Sequence, residues 1–359
     1  MKKRDVALDF IRFVAISLVV IVHAATITVP DAHVSVFQTF GSFGVPLFVI
    51  LTGYLMLDRQ YDAQYLQKFL KRNLLPMFVC LEVWNAIWYV LARLSRSPFS
   101  FKYSLKIALF MQVPDGPFWF LPMIFCLYIG IPLVSVLLNY LLRSGKRNYL
   151  YILIGCLLLA GTIIPTVENV HMLFTGRDGI VSVLQMNIFG SSCWCDSVWM
   201  LYLIIGFVLK RFSGFIRKRL SSLVCLLSFI VCLVLLLAFR LLARQRHLQD
   251  PYFYSNILVV GCATFFFVLM YRFCKFEGKY ARKFITLFTP ISRFSFGMYM
   301  IHTWILAICV RWLTGPSASL GKGYLLFFIV FILSYAGSVL STWILSTVPG
   351  LRKWLLLMK

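Results

Sequence analysis

Apolar residues run in long, barely interrupted stretches along this chain, and the polar positions gather between them instead of alternating with them. A stretch of about 20 apolar residues is what a helix needs to cross the roughly 30 Å hydrocarbon core of a bilayer. Ten such spans are predicted, at 7–29, 43–57, 74–92, 118–141, 149–167, 194–209, 221–242, 254–273, 292–312 and 324–348. The second and sixth are short, and the sixth contains Asp196. Two further apolar segments, 103–111 and 181–189, fall below spanning length and are expected to lie in the interface or to dip back. The pattern predicts an all-α polytopic transmembrane helix bundle, one membrane-embedded unit over residues 1–359 with no soluble extension.

Composition agrees with this reading. Hydrophobic residues make up 61% of the chain and charged ones 13%, with a mean hydropathy of +0.86, which leaves no polar stretch for a separate domain. The Met1-Lys-Lys-Arg start has the charge of a signal-peptide n-region. The apolar run behind it is long enough to span, so it is read as a retained first helix. If the N-terminus is cytoplasmic, the inner segments hold 23 lysines and arginines and the outer ones 10. That bias orients the bundle, and an even span count places both termini in the cytoplasm. A cysteine introduced at Gln67 is then expected to be shielded from an impermeant reagent outside the cell, and one at Asn169 to react. The net charge of +23 follows from this bias and from attraction to anionic headgroups, and needs no nucleic acid.

Ten cysteines make neither a metal site nor a disulfide framework. Seven fall inside spans, where Cys acts as a small hydrophobe. Cys193 and Cys195 approach the outer face, but one intervening residue strains a mutual bridge. There is no sequence repeat, Walker motif or dinucleotide glycine pattern.

The informative residues are those that a membrane helix carries at a cost. Arg12 and His23 lie in the first span, eleven residues apart. Eleven helical steps make about three turns plus 20°, so both side chains share one face about 16 Å apart. Ionisable residues within a span are functional candidates by default. A packing role stays open: Arg12 reaching the headgroups, His23 bonding a neighbouring carbonyl. Asp9, three residues before Arg12, can pair with it and lower the cost of both. Glu82 stands near the middle of the third span, where a carboxylate should face the bundle, toward His23 or a hydroxyl or backbone partner. Tyr299 and His302 share a face at i and i+3, on a helix whose first turn carries Arg293. His33, His171 and His247 fall in outer segments without ligand spacing.

Four ordered motifs resemble the membrane acyltransferase 3 family. They are Leu8-Asp9-Phe-Ile-Arg12 with ten residues to His23; Phe43-Gly44-Val45-Pro46-Leu47-Phe48 running to Thr52-Gly53-Tyr54; Phe118-Trp119-Phe120-Leu121 with Tyr128 and Pro132; and Ser295-Phe-Gly297 with Tyr299 and His302. Thr52 stands where the family usually has serine. The resemblance implies transfer of acyl groups, mostly acetyl and sometimes succinyl, from cytoplasmic acyl-CoA to hydroxyls of a cell-surface polysaccharide or lipid-linked glycan. It implies a bacterial cytoplasmic membrane and acyl-CoA as a donor substrate with no bound cofactor. Without the esterase-like extension of some members, transfer is expected to finish in the membrane domain or on a partner.

In that reading His23 removes the proton of the acceptor hydroxyl, or accepts the acyl group and passes it on. Arg12 polarises the thioester or binds a donor phosphate. A cationic mouth for the anionic donor is supplied by Lys68, Lys71 and Arg72, ahead of Pro76, with the arginine fork best suited to phosphate. Ordinary topological charge is the rival account of that run. Glu82, Tyr299 and His302 would contact the acceptor or support the site, and Trp119 would stack on a sugar ring or simply pack. The competing function is export of a glycan or lipid-linked sugar, although the two related halves common in transporters are not seen.

Overall fold

The structure, a computed structural model, describes residues 5–94, 100–114, 116–176, 197–248, 254–273, 279–314 and 323–358. The segment 181–189, Asp196 and the pair Cys193 and Cys195 lie outside the described residues. Among those described there is no strand. Sixteen α-helices follow one another: α1 (Val6–Thr28), α2 (Asp31–Gly41), α3 (Gly44–Met56), α4 (Ala63–Phe69), α5 (Leu75–Leu94), α6 (Phe101–Ala108), α7 (Phe120–Arg143) and α8 (Arg147–Leu158). Then come α9 (Ile164–Thr175), α10 (Ser197–Arg211), α11 (Ser213–Arg219), α12 (Ser222–Gln245), α13 (Ile257–Phe273), α14 (Lys279–Thr314), α15 (Tyr324–Thr347) and α16 (Pro349–Trp354).

Each of the ten apolar spans falls on a helix, and eight helical runs are long and apolar enough to cross a membrane. The protein is thus a polytopic all-α membrane bundle. The two shorter helices, α10 and α13, are held by burial: Tyr202, Phe207 and Phe267 are among the most enclosed side chains. The second span reaches back to residue 33, because 31–41 is helical where hydropathy suggested a loop. Its hydroxyls are satisfied locally, Thr39 donating to the Ser35 carbonyl and Ser42 to that of Thr39, so polar residues cost little inside the helix.

Cross-ties show the helices running up and down. At the end where α1 begins, Arg211 pairs with Asp58 at 3.7 Å, Ser135 Oγ donates to the Leu57 and Arg59 carbonyls, and Arg272 reaches Ser222. This is the basic end. At the other end Gly323 N–H donates to the Thr28 carbonyl, Tyr202 donates to the Tyr254 carbonyl, and Asn85 and Ser104 bond each other twice. The helices are not equal in depth: in the most apolar 18 residues of each, 72% are buried in the second run and 11% in α12. The α3 helix is therefore the centre of the bundle and α12 a lipid-facing wall.

Close approach at the centre depends on two glycines. A Cβ on Gly53 would lie 1.8 Å from the Leu203 carbonyl oxygen, and one on Gly206 would lie 2.1 Å from that of Ile50. Backbone therefore meets backbone between α3 and α10, the arrangement by which membrane helices gain packing without a hydrophobic driving force.

Two π-turns, Leu70–Leu74 and Leu159–Ile163, each precede a helix whose second residue is proline, Pro76 and Pro165. The proline ring clashes with the carbonyl four residues back, and a widened turn relieves it. The first of these turns carries Lys71 and Arg72.

The asparagine chosen from sequence as an outer label site is fully buried on α9, since helix continues through Pro165 to residue 175. Asn169 is thus unsuited to labelling. Thr175 and Gln67 are both exposed and lie at opposite ends of the bundle. With the basic end cytoplasmic, intact cells should label Thr175→Cys with an impermeant maleimide and leave Gln67→Cys unlabelled, native cysteines being controlled for. The reverse pattern would invert the orientation.

Candidate functional site

Arg12 sits on the inner face of α1, its Nη1 donating to Asp9 Oδ1 at 3.0 Å. Asp9 is almost completely enclosed, whereas the Arg12 side chain keeps 28% of its surface. The pairing expected from i and i+3 spacing is therefore present, with the guanidinium directed into open space. That space is a cavity of about 790 Å³, lined by α1, α3, α7, α14 and the segment after α15. Arg12, Arg59, Arg293 and Arg352 all line it. A second cavity of about 620 Å³ shares Asn73, Met77, Tyr128 and Arg352 with the first and adds Lys71, Arg72 and Lys353. Together they form a cationic channel from the basic end into the bundle.

Sequence placed Lys71 and Arg72 at such a mouth, and the π-turn before Pro76 puts them in its lining. Lys68 is exposed on α4 and lines neither cavity. Arg59, Arg293 and Arg352 were legible only as loop or span-edge charges, because residues 59, 293 and 352 are brought together by tertiary packing alone. Thr52 also lines the cavity, its hydroxyl bonded to the Phe48 carbonyl at 2.9 Å.

The inner end of the larger cavity is walled by Phe120 and Tyr299, whose ring centroids are 4.8 Å apart. On the far side of that wall Tyr299 meets His302 at 5.7 Å, and His302 meets His23 at 5.2 Å. Tyr299 is 2% exposed and His302 fully buried. The His302 Nδ1 lies 2.7 Å from the Tyr299 carbonyl and 3.1 Å from that of Met298. Both are acceptors, so Nδ1 carries the proton and Nε2 keeps its lone pair. That Nε2 is buried and has no hydrogen-bond partner. A lone pair in this position can accept an N–H from the adjacent imidazole of His23.

Glu82 lies apart from this line. It is half-buried on α5 and hydrogen-bonds Asn85, the residue tied to Ser104 of α6; its Oε1 is buried without a partner. It does not contact His23. Trp119 packs its half-buried ring against Trp199 and Tyr254, both at 5.4 Å, so the aromatic cluster accounts for its position without a ligand. Trp199 of α10 and Tyr254, in the turn before α13, join it from positions distant in sequence, which no local motif marks.

A family model described as an acyltransferase domain matches residues 5–347. No curated protein and no solved structure matches the chain. The matched region takes in α1 through α15, and with them Arg12, the histidine pair and the part of the cavity lining that precedes residue 348. The chain therefore belongs to the acyltransferase 3 family, as a membrane acyltransferase.

Proposed function

We propose that this membrane acyltransferase takes an acyl group, acetyl in the first instance, from acyl-CoA on the cytoplasmic side and delivers it to a hydroxyl of a surface glycan or its lipid-linked precursor. The observation that carries the reading is the cationic channel ending on the Phe120 and Tyr299 wall, with the His23 and His302 pair directly behind it. A donor with a polyanionic head and a long neutral arm suits such a shape. Its phosphates would rest at the mouth beside Lys71 and Arg72, and its arm would pass Arg12 toward Tyr299.

Helical rise separates Arg12 and His23 by about 16 Å, too far for both to act on one carbonyl. This favours donor binding over thioester polarisation for Arg12. His23 would act at the acyl end. With one N–H turned toward the lone pair of His302 Nε2, it would offer its other nitrogen to the acceptor hydroxyl. The hydroxyl proton passes to that nitrogen as the oxygen attacks the thioester carbon. The new C–O bond forms, the C–S bond breaks, and the departing thiolate takes the proton from the imidazolium. If His23 carries the acyl group instead, the same attack falls first on thioester by imidazole and then on acyl-imidazole by hydroxyl.

The test compares two arginines by steady-state kinetics on purified protein. Arg72→Ala removes binding common to ground and transition states, so KM for acetyl-CoA should rise about five- to tenfold with kcat within about twofold. Arg12→Ala also strips the buried Asp9 of its Arg12 partner and should lower kcat as well as raise KM, whereas Arg12→Lys should recover part of both. An unchanged KM in Arg72→Ala would mean that the charges before Pro76 serve only to orient the protein.

A further inference from the structure

After α15 the chain turns sharply at Val348 and Pro349, and residues 349–358 fold back into the basic end. Pro349 opens α16 at a position where its missing N–H costs nothing. The turn behind it is closed by Leu355 and Leu356 N–H groups donating to the Leu351 carbonyl and by Met358 N–H donating to that of Arg352. Leu355 and Leu356 are 4% and 1% exposed. The Leu355 carbonyl accepts from Trp84 Nε1 at 3.0 Å and from Cys80 Sγ at 3.3 Å. Trp84 is about 14 Å along α5 from its first residue, so the segment is anchored well inside the bundle. On its other flank Leu356 fills the space left by Gly297 of α14, where a Cβ would come within 2.9 Å of Leu356 Cδ2. The segment is thus wedged between α5 and α14. Arg352, Leu357 and Met358 line both cavities at once.

We infer that residues 349–358 are a built wall of the donor site and that Arg352, at the junction of the two cavities, binds the phosphate-bearing head of a phosphorylated thioester donor. The inference rests on the donor assignment made above and adds the element that closes the channel. The family match ends at residue 347, so this wall lies outside what the match describes. A guanidinium at the junction reaches either chamber, and its planar fork pairs with phosphate oxygens bidentately, which an ammonium does not.

Equilibrium binding of CoA and of pantetheine, which lacks the phosphates, to the purified full-length chain in phosphate-free detergent tests this. For Arg352→Ala, CoA affinity should fall about tenfold with pantetheine affinity unchanged. The thermal midpoint should stay close to that of the unaltered protein. Arg352→Lys should recover part of the loss, and Trp84→Phe, which removes the shorter of the two bonds to the Leu355 carbonyl, should weaken CoA binding too. Unchanged CoA affinity in Arg352→Ala, or equal losses for both ligands, would overturn the inference while leaving the donor assignment intact. A loss seen only after anionic phospholipid is added would assign the guanidinium to lipid headgroups and overturn it as well. If the unaltered protein binds CoA no better than pantetheine, the donor assignment itself fails and this inference falls with it.

Discussion

His23→Ala is expected to abolish acyl transfer, by about a thousandfold or more, in a protein that still folds and inserts. A sugar hydroxyl is a weak nucleophile at neutral pH, and general base assistance alone contributes about 10²–10⁴-fold. If the imidazole is the acyl carrier, its loss removes the covalent step outright. The fold should survive because His23 is only half-buried and its ring neighbour is His302, which is held independently by the Met298 and Tyr299 carbonyls. Thiol release from acetyl-CoA, measured beside monodispersity and thermal midpoint in detergent, separates activity from folding. Near-normal transfer by folded His23→Ala would remove the histidine from the mechanism.

Gly53→Ala should have the largest effect on stability. An added Cβ would stand 1.8 Å from the Leu203 carbonyl oxygen and 2.7 Å from its carbon. Both are backbone atoms, so no side-chain rotation relieves the overlap and α3 must move away from α10. Overpacking costs about 1–3 kcal/mol where neighbours can shift, and a backbone-to-backbone clash at the centre should reach the upper end or exceed it. Activity should fall with it, since Phe48, Leu51, Thr52 and Leu55 of α3 line the cavity. Gly130→Ala is the matched control. Nothing lies within 4 Å of its Cβ position on α7, and the better helix propensity of alanine should leave stability equal or slightly raised. Equal thermal midpoints for the two variants would contradict the close contact of α3 and α10.

The two predictions show why some of the site can be read from the chain and some cannot. Hydropathy determines where the apolar helices fall, because a bilayer admits only backbone that satisfies its own hydrogen bonds. Local spacing determines the Asp9 and Arg12 pair and the shared face of Tyr299 and His302, because neighbours three residues apart on a helix must meet. The proline at 76 determines that Lys71 and Arg72 fall in a widened turn. The glycine of the Thr52-Gly53-Tyr54 motif is visible in sequence, but its purpose is not, since Leu203 comes from a helix 150 residues away. The same holds for α2, whose polar residues satisfy one another in a way that hydropathy does not register. It holds also for Glu82, whose depth was readable and whose neighbour was not.

Hydropathy and charge alone specify a membrane helix bundle, the residues too costly to be there without reason, and the end at which positive charge collects. These are properties of single helices and of their solvent. Packing between distant segments is what brings His23 to His302, lines one cavity with four arginines from separate segments, and adds Arg352, Leu356, Leu357 and Met358 to its wall. Those contacts join positions that are far apart in the chain, and their geometry is set by how closely glycine-faced helices pack, a quantity that no local pattern encodes.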